Sequence, residues 1–148
     1  RRFATGRPGR GTPPTRSTRQ VIAIDTNVLV RLLVADDPAQ SRRARALLET
    51  QDVWIGPTVL LEAAWVLDAV YGFTPLAIVR ALRAVLGLPN ACTSSPTDIA
   101  RALDAAERGM DVADALHVAL ASPEAEAFVT FDRKVVRRGA GLRTVRLA

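Results

Sequence analysis

Apolar positions along the chain fall into short β-rich runs that alternate with helical stripes. Val21-Ile22-Ala23-Ile24 is such a run, closed by Asp25, and after Thr26-Asn27 the stretch VLVRLLV takes up helical spacing, giving strand, turn and helix. Asp36, Asp37 and Pro38 stop this helix and start a second through SRRARALLE, with Asp37 as N-cap and Pro38 in the first turn. A strand is predicted at Val53 to Ile55. Gly56-Pro57-Thr58 interrupts the pattern, after which Val59, Leu60, Ala63, Val66, Leu67 and Val70 recur at helical intervals up to Gly72.

Thr74-Pro75 opens a further helix through LAIVRALRAVLG, and a short strand is predicted within Leu88 to Thr93. Ser95-Pro96 begins the next helix, TDIARALDAAERG, which stops at Gly109. The alanine-rich segment DVADALHVALAS is amphipathic, AFVTFD is the strand after it, and a short helix and the strand LRTVRL complete the chain. Strands alternating with helices predict an α/β fold with a mostly parallel sheet covered on both faces. There is no internal repeat.

A length of 148 residues, 49% of them hydrophobic and 24% charged, fits one domain able to bury a core. No apolar run approaches the roughly 18 residues a membrane span needs, and the start lacks the apolar middle of a signal peptide. A soluble, intracellular protein is expected. Cys92 stands alone, which excludes an internal disulfide framework and a cysteine-based zinc site.

Net charge changes the picture once it is split. Residues 1–20, rich in Gly, Pro, Thr and Arg, hold six arginines (Arg1, Arg2, Arg7, Arg10, Arg16 and Arg19) and no acid. The remaining 14 bases then face all 15 acids, so the part that folds is near neutral and the basic pI of about 10.9 comes from this segment. Its composition cannot offset the entropy of ordering, and it is read as a flexible basic tail ahead of a domain at 21–148. Because the chain opens on Arg1, this end is read as processed, misassigned or carried over from expression. A basic arm touching phosphates is the second reading of the same residues.

Several carboxylates sit where a solvated surface charge is not expected. Asp25 and Asp132 close apolar strands, and the C-terminal edge of a parallel sheet is where such folds gather ligands. Glu62 lies among Leu60, Leu61, Ala63 and Ala64. Asp111 and Asp114 are one turn apart on one helix face, with Asp111 at the helix start. Each has a plainer reading, as helix cap, arginine partner or dipole residue. Taken together, four or five acids in one place would repel unless a cation lay between them, and oxygen-only donors suit Mg²⁺ or Mn²⁺. Such a cluster points to phosphodiester chemistry.

The ordered motifs IDTNVLVRLL, PTVLLEAAWVL, DVADALHVALA and FVTFD resemble the PIN-domain nucleases, and within them the VapC-type ribonuclease toxins of bacterial toxin–antitoxin pairs. The likeness runs from Val21 to the C-terminus. It implies a three-layer α/β/α fold with a mostly parallel central sheet and places Asp25, Glu62, Asp114 and Asp132 at the family's catalytic, metal-binding acids, with Asp111 as an additional metal-binding acid. Thr26 and Asn27 match the polar pair that orients the first acid, and Thr130 the polar residue before the last. The resemblance further implies Mg²⁺- or Mn²⁺-dependent endonucleolytic cleavage of RNA such as tRNA or rRNA, leaving 5′-phosphate and 3′-hydroxyl ends. A homodimer, a VapB-like antitoxin in the active-site groove and a cytoplasmic location belong to the same expectation.

The other polar and aromatic residues are weighed separately. Arg133, Lys134, Arg137 and Arg138 are candidate RNA-binding residues, with an exposed helix face as the equal alternative. His117 is left outside the catalytic set, as a packed or hydrogen-bonded imidazole. Trp54, Trp65, Tyr71 and Phe73 are expected in core or dimer packing ahead of base stacking. The helices from Val59 to Gly87 could supply a dimer surface, although burial within the domain explains the same residues. Asp25-Thr26-Asn27-Val28 lacks the second acid of haloacid-dehalogenase-like enzymes. Lys134 is misplaced for a response-regulator receiver. A catalytically silent PIN-like module binding RNA or protein is the alternative kept, and missing acids would be its signature.

Overall fold

The computed structural model describes residues 20–148, so the calls on the arginine-rich tail up to Arg19 lie outside the described residues. Twelve elements follow in the order β1 (Val21–Ala23), α1 (Thr26–Val34), α2 (Pro38–Thr50), β2 (Asp52–Trp54), α3 (Pro57–Ala69), α4 (Pro75–Leu86), β3 (Ala91–Cys92), α5 (Pro96–Glu107), α6 (Val112–Ala119), β4 (Phe128–Thr130), α7 (Arg133–Gly139) and β5 (Val145–Leu147). The expected α/β alternation is present throughout. All strand pairs are parallel, each joined through at least one helix.

Local chemistry explains the helix boundaries. Pro38, Pro57, Pro75 and Pro96 each occupy a first-turn position, where a missing N–H costs nothing. Asp37 caps α2 through the amides of Ala39 and Gln40, and Thr74 caps α4 through Ala77. Gly109, at φ +98°, takes the left-handed backbone that ends α5 and turns the chain into α6. A side chain would be strained at that φ.

Two findings differ from the expectation. The ladders fall into two pieces among the described residues, β1-β2-β3 and β4-β5, with no ladder between them. The two faces of the larger piece are also unequally covered. Ile22, Val53 and Ala91 pair on one face and pack with the core, whereas Ala23, Trp54 and Cys92 pair on the other and are exposed. The Trp54 ring folds over Gly56, where a Cβ would lie 3.0 Å from the indole, so a residue larger than glycine would displace it.

The core is aliphatic, with Leu29, Val53, Ile55, Leu60, Leu67, Leu82, Ile99 and Val118 fully buried. Helix α6 buries Val112, Ala115, Leu116 and Ala119, at the i, i+3, i+4, i+7 spacing of one face, and this turns Asp111, Asp114 and His117 outward. Tyr71 and Phe73 pack against the core as expected. The Tyr71 hydroxyl also bonds Asp36 at 2.7 Å and receives Arg31 Nη1 at 3.1 Å, fastening the end of α3 to α1. Of the two packings expected for Trp65, core or dimer, the core one does not hold: it is 65% exposed.

Candidate active site

Two clusters of polar side chains emerge from these elements. In the first, the β1–α1 junction places Asp25 two residues beyond the strand, as N-cap of α1, where its Oδ1 accepts the Val28 amide at 2.9 Å. Asp25 therefore caps a helix and does not end the strand. Thr26, the next residue, is buried and donates from Oγ1 to Glu62 Oε2 at 2.6 Å. Glu62 is itself exposed, so the apolar residues around it in sequence do not enclose it. The bond tethers α3 to α1. Asn27 lines an exposed cleft with Asp25, Val28 and Arg31.

The second cluster is more acidic. Asp111, Asp114 and Asp132 line a single cavity of about 480 Å³, together with Met110, Lys134 and Arg138. Asp111 caps α6, its Oδ1 accepting the amides of Ala113 and Asp114 at 2.9 and 3.1 Å. Asp132 lies two residues beyond β4 and caps α7, its Oδ1 accepting Lys134 N–H at 2.6 Å. Thr130 Oγ1 accepts the Asp132 amide at 3.0 Å, which fixes this turn. Burial is the largest cause raising the Asp114 carboxyl above its ordinary pKa, followed by the charges of Asp111 and Asp132. His117 opposes that shift.

These bonds leave a consistent pattern on the three capping aspartates. In Asp25, Asp111 and Asp132, Oδ1 is committed to helix amides, while Oδ2 accepts no hydrogen bond among the described residues. The plainer reading as caps is thus correct for Asp25 and Asp132, and Asp111, read as a dipole residue, is a cap as well. Capping does not compete with ligation, because a carboxylate has a second oxygen. Asp114 accepts no hydrogen bond among the described residues. Yet no group of three His, Cys, Asp or Glu side chains among the described residues is close enough to hold a metal ion. Asp25 and Glu62 do not share the cavity of the other three, and unscreened carboxylates in one place repel. The donors nonetheless fit a hard cation in kind: oxygen atoms on accessible carboxylates, one of them held at unfavourable energy by its neighbours.

The basic quartet divides. Lys134 and Arg138, four residues apart on α7, line the acidic cavity, and Arg138 Nη1 donates to the Gly109 carbonyl beside Asp111. Among the described residues, Arg138 is thus the one of the four whose side chain is committed to a hydrogen bond. Arg133 and Arg137 are exposed. His117 is exposed too, at the rim of an apolar cleft with Pro57, Leu61 and Phe128. A packed or hydrogen-bonded imidazole was expected; packing is absent because α6 turns the residue outward.

Sequence reasoning did not find Arg138's clamp or the extreme exposure of Phe131, 87% accessible between Thr130 and Asp132. Its place in the run FVTFDRK, next to a candidate acid and ahead of two cations, was the available signal. A family model described as PIN domain matches residues 22–141 of the chain. No curated protein and no solved structure matches significantly.

Proposed function

The chain belongs to the PIN-domain family, whose members are generally nucleases that use divalent metals, and from that premise we propose that it is an Mg²⁺- or Mn²⁺-dependent endoribonuclease. The observation carrying this reading is the cavity lined by Asp111, Asp114 and Asp132, in which the Asp114 carboxyl is raised by burial and by its two neighbours. A divalent cation held there would relieve that repulsion, and the chemistry it would supply is activation of water toward a phosphodiester. Asp25, Glu62, Asp114 and Asp132 would hold it, with Asp111 alongside. Thr26 orients Glu62, Thr130 fixes the turn carrying Asp132, and Asn27 borders Asp25. Lys134 and Arg138 supply positive charge beside the reacting phosphate.

The finer assignment is a VapC-type toxin that cuts structured RNA such as tRNA or rRNA and is neutralised by a VapB-like antitoxin. Its support is the joint presence of the DTN, LLEAAWVL, DVADALH and FVTFD motifs in order. A homodimer is part of this reading, supported by Trp65, Val70 and Leu76 standing exposed on and just beyond α3 and at the start of α4. A cytoplasmic setting accords with the lone Cys92. Among the described residues, no helix is long and apolar enough to cross a membrane.

The test is cleavage of a mixed tRNA pool by antitoxin-free protein with Mg²⁺ or Mn²⁺, against EDTA and Asp25→Asn controls. Asparagine keeps a capping oxygen for Val28, so the variant removes charge while preserving the helix start. Cutting lost in both controls is the expected result. Intact RNA from folded, metal-bound protein would favour the catalytically silent binding module.

A further inference from the structure

Charge along the folded chain is sharply divided. Residues 21–127 carry eight bases and 14 acids, whereas residues 128–148, which form β4, α7 and β5, carry six bases and the single acid Asp132. Of those six, Arg138 is engaged with the Gly109 carbonyl and Arg143 with the carbonyls of Ala121, Ser122 and Ala125. Arg133, Lys134, Arg137 and Arg146 make no ion pair or side-chain hydrogen bond among the described residues. These cations are exposed and uncommitted.

The same unit presents the most exposed large apolar side chain among the described residues. Phe131 is 87% accessible and Val129, two residues earlier on β4, is 57% accessible. Arg146 is the register partner of Val129 across the parallel β4–β5 ladder, so its side chain leaves the same face. An aromatic ring standing clear of the surface beside unpaired cations matches the way proteins take up unpaired nucleotides, with the ring against a base and the cations on flanking phosphates. A base within a duplex has no free face to offer such a ring.

We propose that Phe131 stacks on an unpaired RNA base adjoining the phosphate presented to the Asp132 cavity, with Arg133, Arg137 and Arg146 holding the neighbouring phosphates. This rests on the nuclease reading and narrows its substrate to a loop, bulge or single strand. Phe131 is a specificity residue, and Asp132, next in the chain, keeps the base beside the site.

Binding is measured in EDTA, where cleavage plays no part, using a single-stranded RNA with 2-aminopurine at one position and the same strand in a perfect duplex. Phe131→Ala is expected to weaken single-strand binding by roughly 5- to 150-fold and to abolish the fluorescence quenching that stacking causes, while Phe131→Trp keeps both. Duplex affinity, carried by phosphates, changes little in either variant. The ring's exposure means that alanine leaves the fold intact, which a thermal melt checks. Equal affinity and quenching in wild type and Phe131→Ala would overturn the stack, leaving the nuclease reading to stand on its metal-dependent cleavage. Unchanged RNA binding with lost self-association would assign the ring to protein contact and overturn it as well. Failure of the wild-type chain to bind RNA would do the same.

Discussion

The two groups of acids differ in how their charge is accommodated. Glu62 is satisfied by a short bond from the buried Thr26 hydroxyl, and Asp25 by a helix amide, so on that side carboxylates are held by neutral donors. On the other side, Asp111, Asp114 and Asp132 line one cavity, and Asp114 lacks a hydrogen-bond donor among the described residues and is pushed toward protonation. In one group each carboxylate has a hydrogen-bond donor. In the other, Asp114 has no donor among the described residues and stands beside two further carboxylates, in a cavity that Lys134 and Arg138 also line, and a cation held there would lessen the repulsion on it.

The largest expected effect comes from removing the Asp114 charge. Asp114→Asn should reduce metal-dependent RNA cleavage by on the order of 1,000-fold or more, because it deletes a ligand oxygen's charge while preserving shape. Cleavage assays at saturating Mg²⁺ check this, and near wild-type activity would remove Asp114 from the site. Circular dichroism should show the helix content unchanged.

On the satisfied side the effect should be smaller and of a different kind. Thr26→Val removes the donor to Glu62 and should lower activity by about 10- to 100-fold, as loss of a residue that orients a ligand does, with a stability cost of about 1 kcal/mol. Thr26→Ser keeps the hydroxyl and should restore most of both. If serine and valine behaved alike, packing of the buried side chain and not the Glu62 bond would be the role of Thr26.

A third contrast separates Arg138 from its neighbour Arg137. Arg138→Ala leaves the Gly109 carbonyl without its donor at the left-handed turn that introduces Asp111, and should lower stability by about 1 kcal/mol, read as a fall of about 3–5 °C in Tm. Arg137→Ala, with no recorded partner among the described residues, should shift Tm negligibly and act on RNA affinity, more at low salt than at high. Equal melting shifts for the two would show that the clamp does not matter.

Much of this was legible in the sequence because local chemistry decides it. Proline in the first helical turn, Asp37 and Thr74 as caps and Gly109 at a helix end all act over a few residues, and each appears where the pattern predicts it. Ordered motifs carry the acids, but chain order does not show that Asp111, Asp114 and Asp132 line one cavity that Asp25 and Glu62 do not share. What the chain order could not convey is how distant residues meet. The hydroxyl of Thr26 reaches Glu62 across 36 residues, and Arg138 reaches Gly109 across 29. Val70, the last member of the apolar stripe of α3, stands 63% exposed, and such a stripe looks the same in sequence whether its last member faces the core or the solvent.

The smallest expected effect is also the most direct reading of the repulsion on Asp114. Asp114 has a folded-state pKa above its ordinary value, so the folded chain holds that proton more tightly than the unfolded chain does. As pH rises from the ordinary carboxylate range through the raised value, Asp114 ionises against Asp111 and Asp132, and the metal-free protein loses stability from this group. Asp114→Asn removes the loss. In EDTA the variant should therefore melt slightly above wild type at neutral pH, with the gap closing as pH falls through the raised pKa toward the ordinary aspartate value of 3.8. Adding Mg²⁺ should reverse the order, since the cation stabilises the wild-type cavity more than the variant's. Thermal melts across pH, with and without Mg²⁺, check both halves. A gap that stayed constant from acid to neutral pH would mean that packing and not carboxylate repulsion separates the two proteins, and the cavity would lose its claim to need a cation.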